Sequence, residues 1–155
     1  FMGEYDAWVV KFNASGEIQW QKTLGGSLWD WGSSILVSQE GGYLFAGYTY
    51  SWDGDGAGIK GDYDYLLVKL DQNGEREWAK VYGGEVDEFL HTALQLKDGS
   101  YVVAGSSASH DGDVDKNRGS ADFYILRVDA RGKILGQKTM GGSGYEIPGL
   151  GSSSV

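Results

Sequence analysis

The chain contains no cysteine and only one proline in 155 residues. Without cysteine there are no disulfides and no thiolate-bound metal. With a single proline, turns must be made by glycine, asparagine and aspartate. No apolar run approaches the roughly 20 residues a membrane-crossing helix needs, so no membrane insertion is expected. The first residues, FMGEYDAW, carry no signal-peptide pattern, so any export signal is expected to have been removed already. Histidine is scarce too: His91 and His110 fall at unrelated positions and offer no zinc cluster. Lys and Arg number 13 against 22 Asp and Glu, a formal net charge of −9 that argues against nucleic acid as a partner.

What the chain has in abundance is glycine, 26 residues, with 10 tyrosines and 6 tryptophans. Glycine and aromatics together, with no sustained 3.6-residue periodicity, predict short strands joined by tight turns. The fold class is all-β.

A 58-residue repeat organises the sequence. Gly25-Gly26 recurs as Gly83-Gly84 and Gly141-Gly142, and 25–82 aligned without gaps on 83–140 gives 16 identities in 58 positions. Residues 1–24 match 59–82 at 9 of 24 positions. The chain therefore reads as a half repeat over 1–24, full repeats over 25–82 and 83–140, and the start of a decayed repeat over 141–155. Each full repeat predicts four antiparallel strands. In the first they fall at 34–38, 43–50, 64–71 and 76–82; the second supplies TALQLK, YVVAGSS, DFYILRVD and ILGQKTM. Gly and Asn in the links DQNG and DARG are expected to supply the positive φ of hairpin turns. The third strand, with Tyr65–Val68 or Phe123–Leu126 at its centre, alternates little and is expected to be covered on both faces. Four-stranded units in tandem, buried on both sides, predict β-propeller-type blades.

The segments VVKFNASGEIQWQKTLGG, EGGYLFAGYT, DYLLVKLDQNGEREWAKVYGG and KDGSYVVAGSSASHDGDV resemble a repeat of long, mostly exported β-propeller-like proteins of bacteria and archaea. The resemblance covers about residues 1–144 and implies an extracellular or cell-surface location. Asp71, Gly74 and Trp78 are also similar to the tryptophan-docking motif of quinoprotein-type propellers. That likeness implies that Trp20 and Trp78 pack between neighbouring blades, while Gly136 replaces the indole in the last copy. Closed propellers hold about four to eight blades, more than this chain supplies. Further copies of the chain, or further repeats of a longer one, are therefore the expected partners.

Residues 109–123, SHDGDVDKNRGSADF, place Asp111, Asp113, Asp115, Asn117 and Asp122 at positions 1, 3, 5, 7 and 12 of an EF-hand-like loop. Alternating carboxylates closed by a distant acid suit calcium, Ca2+. Lys116 stands where the sharp bend prefers glycine, and Asp122 is shorter than the usual glutamate. The first copy retains Asp53, Asp55 and Asp64, with Asp62 able to replace the ligand lost at Ala57. The competing reading is that Asp-Gly-Asp is simply a turn.

Trp29, Trp31, Tyr48, Tyr50 and Trp52 occur in one copy only, and their equivalents are Asp87, Phe89, Ser106, Ala108 and His110. Core positions should persist between copies, so these aromatics are candidates for a blade or subunit contact, or for stacking on a glycan. No pair of acids is singled out for glycoside cleavage and no G-x-S-x-G elbow is present, so no enzymatic activity is expected. Asn13-Ala14-Ser15 has the form of a glycosylation sequon but sits where a tight turn belongs. The expected function is a non-catalytic, exported repeat module for structure, adhesion or assembly with calcium-stabilised loops. The alternatives are a lectin-like glycan binder that engages a glycan or cell-surface protein and, remotely, a quinoprotein-like enzyme.

Overall fold

The computed structural model describes residues 3–146. It is all-β, with ten strands in three antiparallel sheets. Strands β1 (Ala7–Phe12) and β2 (Ile18–Leu24) pair as a hairpin. Next come β3 (Asp30–Val37), β4 (Tyr43–Thr49), β5 (Asp64–Leu70) and β6 (Arg76–Tyr82), ordered β3-β4-β5-β6. The same meander recurs in β7 (Glu88–Gln95), β8 (Tyr101–Ser107), β9 (Asp122–Val128) and β10 (Ile134–Met140). One sheet thus lies within each of 1–24, 25–82 and 83–140. The sheets do not close into a barrel or ring among the described residues.

The first strand of each four-stranded sheet begins earlier than the sequence pattern places it. Strand β3 starts at Asp30 and β7 at Glu88, because the polar and glycine-containing stretch that opens them still pairs with the end of the next strand: Asp30 with Thr49 and Glu88 with Ser107. A register irregularity after Gly32, and again after Leu90, hides the alternation there. Among the described residues the positive-φ turn positions are all glycine, so Asn73 does not share that role. Instead Asp71 Oδ1 accepts from the N–H groups of Asn73 and Glu75, both at 2.8 Å, and the side chain itself shapes the turn. Asp129 repeats this on Arg131 and Lys133, and Asn13 on Ser15 and Glu17. Asn13, the head of the sequon, is a turn residue of this kind.

Coverage of the third strand depends on the place of its sheet. Every residue of β5 is buried, because the middle sheet has a neighbour on each face. Tyr65 and Leu67 join a core with Leu90, Tyr101, Tyr124 and Leu126 of the third sheet. Leu66, Val68 and Leu70 join Ala7, Val9 and Leu24 of the first. In β9 burial alternates, since only one face is covered. In β1 the open face leaves Trp8 65% and Phe12 55% exposed, although their equivalents Leu66 and Leu70 are fully buried.

The two sheet junctions are built alike. Trp20 of β2 donates its indole N–H to Gln72 O at 3.2 Å and lies over Gly74, and Trp78 of β6 donates to Ala130 O at 3.1 Å and lies over Gly132. Each tryptophan crosses from an outer strand to the turn of the next sheet. At Gly136 no such contact exists among the described residues. In the last repeat, Glu146 N–H donates to Ala121 O at 2.8 Å, and Tyr145 forms a parallel bridge with Ala121. The rest of the tail, 147–155, lies outside the described residues.

Candidate functional site

The acidic loops do not gather their carboxylates around a common point. Asp111 Oδ1 accepts from Glu85 N–H at 2.8 Å, and Asp113 pairs with Lys60 Nζ at 2.5 Å. Asp115 is exposed and contributes its backbone carbonyl to Thr139 Oγ1 at 2.9 Å. Asn117 is buried, donating to Ser107 O and accepting from Gly119 N–H, both at 3.0 Å. Asp122 Oδ2 accepts from Arg118 N–H at 2.7 Å. The first copy follows the same plan: Asp53 Oδ1 accepts from Ser27 N–H at 2.7 Å, Asp55 holds Gly25 N–H and Arg76, and Asp64 Oδ2 holds Lys60 N–H at 2.8 Å. Among the described residues no three His, Cys, Asp or Glu side chains are grouped to hold a metal ion. As arranged, these residues fold the loop onto the paired glycines.

Beneath those glycines lies a feature that identity matching misses. A Cβ on Gly83 would stand 2.2 Å from Glu88 Oε2 and 2.3 Å from Asp64 Oδ1, so both carboxylates close on the same bare Cα. A Cβ on Gly141 would likewise meet Asp122 Oδ1 at 2.2 Å and Glu146 Oε2 at 2.5 Å. Asp30 holds the corresponding place at Gly25, with Oδ2 2.3 Å from such a Cβ. Asp64 and Glu88 are fully buried. Glu88 Oε2 accepts from Gly84 N–H at 2.7 Å and Oε1 from Ser107 Oγ at 2.5 Å, while Asp64 Oδ1 has no donor. Burial raises both carboxyls above their ordinary range, Glu88 to about 7. The signal available in the sequence was an acid five residues after the first glycine of each pair, Asp30, Glu88 and Glu146, alike in chemistry but not in identity.

The copy-specific aromatics separate into a cluster and an outlier. Trp31 of β3 stacks on Tyr48 of β4 at 5.4 Å and 19°, and Trp29 meets Trp31 at 6.1 Å and Tyr50 at 6.0 Å. Tyr63, not among the expected residues, sits at the centre with Trp31, Tyr48, Tyr50 and Phe89 all within 6.0 Å. Tyr48 also meets Phe89 of β7 edge-on at 5.2 Å, so the cluster spans two sheets. Trp52 is 68% exposed and has no ring partner among the described residues.

This chain matches no protein-family model and no curated protein.

Beside the aromatic shelf is an open cavity of about 400 Å³ lined by Ser33, Tyr48, Phe89, Leu90, His91, Ser106 and Tyr145. Its size falls within the span of small-ligand sites, ~300–1,000 Å³. Burial lowers the pKa of His91, so its imidazole is neutral at pH 7. Asp62 and Asp87 edge the shelf and, with burial, push the Tyr63 phenol up. Burial also raises Asp87, with Asp62 adding to the effect. The shelf is a set of π-faces with hydroxyls and carboxylates at its margin, suited to binding and without a paired nucleophile and base.

Proposed function

We propose that this chain is a non-catalytic repeat module, built of propeller-type blades, that serves structure and adhesion at the cell surface or outside the cell. The observation that carries the reading is the junction made twice, Trp20 to Gln72 and Trp78 to Ala130, each in equivalent positions of successive sheets. A junction that repeats by rule is what a blade array needs, since each repeat then contacts its neighbours in one fixed way. Strand β7 packs against β3, β4 and β5, and Ser33 Oγ donates to Leu90 O at 2.6 Å, joining the two first strands. First strands that meet in this way suit a fan of blades, in which last strands lie farther apart.

The non-catalytic part of the reading is supported by what the repeated acids do. They hold backbone N–H groups, turns, the hydroxyls of Ser51 and Ser107, and each other. The exposed Trp8 and Phe12, equivalent to buried Leu66 and Leu70, support a further blade on that face, from another copy or from further repeats. Location outside the cell rests on the repeat resemblance.

Spin-label distances test the fan. The chain has no cysteine, so single pairs can be introduced cleanly at Ser34 and Thr92 on the first strands and at Lys80 and Lys138 on the last. Thr92, Lys80 and Lys138 are exposed and Ser34 is half-buried. The blade reading expects the Ser34–Thr92 distance to be clearly the shorter. Equal distances would describe parallel stacked sheets and overturn it.

A further inference from the structure

We propose that the aromatic shelf formed by Trp29, Trp31, Tyr48, Tyr50, Tyr63 and Phe89, with the cavity beside it, is a binding site for a neutral pyranose ring of a glycan. This deepens the adhesive reading and does not depend on the fan geometry of the blades. Six rings in mutual contact across two sheets give a broad, rigid surface, because each ring is fixed by its neighbours at 5.0–6.1 Å. Rings pre-set in this way need little ordering when a ligand arrives.

The polar groups decide which occupant fits. The hydroxyls of Tyr48, Tyr50 and Tyr63, and the Trp31 indole N–H, have no hydrogen-bond partner within the protein among the described residues. Ser106 Oγ in the cavity wall has none either. Asp87 Oδ1 is buried against the shelf without a donor. An aliphatic protein surface laid here would strand these groups unpaired. A pyranose ring answers them: its C–H face rests on aromatic π-faces while its hydroxyls donate to carboxylates and accept from phenols. Asp62 and Asp87 oppose an anionic sugar or a phosphate, and the net charge of −9 adds to that. The cavity brings Ser33 and Tyr48 from one sheet, Phe89, His91 and Ser106 from the next, and Tyr145 beyond them, so a ring seated there bridges elements.

The test is intrinsic tryptophan fluorescence titrated with cellobiose, chitobiose, lactose and maltose. Sialyllactose serves as the acidic counter-probe and choline as the cationic one. At least one neutral disaccharide should bind saturably, while sialyllactose does not. Tyr48→Ala and Phe89→Ala should weaken binding about tenfold or more, as loss of a central aromatic contact does. Tyr145→Ala, at an exposed position, should weaken it with the melting temperature unchanged and so separates binding from folding. Trp52→Ala, outside the shelf, should leave it intact. The proposal is overturned if no neutral disaccharide binds, if binding survives all three shelf and cavity variants, or if choline or sialyllactose binds more tightly. Such a result leaves the spin-label distances, and with them the blade reading, untouched.

Discussion

Asp64 of the second sheet and Glu88 of the third face each other over Gly83, both fully buried, with Asp64 Oδ1 lacking any donor. Two carboxylates cannot both stay ionised at such an approach in a buried setting. One proton held between them removes the repulsion and supplies the missing donor. Below about pH 7 the sheet junction therefore carries a proton. The backbone N–H groups of Gly84 and Lys60, with the hydroxyl of Ser107, hold the two side chains in place, and the Lys60 charge partly offsets the effect of burial on Asp64.

The consequence is a pH-dependent stability. Glu88 has a folded pKa raised from 4.5 to about 7. The folded state therefore binds the proton more tightly than the unfolded chain does. Its stabilisation is fully present below about pH 4.5 and is lost as pH rises through about 7. Thermal unfolding should show a higher melting temperature at pH 5 than at pH 8, by several degrees, for a term on the order of 2 kcal/mol. Glu88→Gln keeps an oxygen for Gly84 and removes the negative charge facing Asp64, so this variant should flatten the pH profile and melt higher than the natural chain at pH 8. A profile unchanged by the substitution would show that the proton resides elsewhere.

Tryptophan docking can be tested through the glycine beneath it. Gly74 has φ +80°, and a Cβ there would lie 2.7 Å from the Trp20 ring; Gly99 has φ +83° and open space. Alanine at either site meets the left-handed backbone cost, about 1–2 kcal/mol. Only at Gly74 does it also push the indole from its bond to Gln72 O. Denaturant unfolding should therefore rank Gly74→Ala well below Gly99→Ala, by about 2 kcal/mol or more. Equal losses would mean that the indole contributes little to the junction.

The all-β class, the four-stranded units and their 58-residue spacing were legible because turn glycines and apolar strands repeat together. The early starts of β3 and β7 were not. Their first residues, Asp30 and Glu88, are acids whose pairing depends on a partner strand, which leaves no local pattern. The aromatics Trp29, Trp31, Tyr48 and Tyr50 were visible as copy-specific, but Tyr63 and Phe89 join them only through the packing of two sheets. The acidic loop had the spacing of a cation site, yet spacing along a chain does not fix direction. Asp111 and Asp113 turn to separate partners.

That geometry gives an expectation for metal removal. Asp111 holds Glu85 N–H and Asp113 holds Lys60. A chelator should then change the melting temperature little compared with millimolar calcium, since these carboxylates would have to give up Glu85 N–H and Lys60 to take an ion. Asp111→Ala should lower it in both conditions, by about 1 kcal/mol for the lost hydrogen bond. A calcium-dependent rise that disappears in Asp111→Ala would mean that the loop reorganises to collect its ligands.

The second glycine of each pair offers the sharpest internal comparison. At Gly84 a Cβ would lie 2.4 Å from Asp111 Oδ1 and 2.5 Å from Ser109 Cβ, whereas at Gly142 the nearest atom is Glu146 Oε1 at 3.7 Å. Neither position requires a positive φ, so the two alanine variants differ only in what the methyl meets. Gly84→Ala must displace the acidic loop and break the contact of Asp111 with Glu85, and should cost about 2–3 kcal/mol. Gly142→Ala should fall within about 0.5 kcal/mol of the natural chain. Matching losses at the two sites would show that a loop also closes over Gly142, completing there the junction already seen at Gly84.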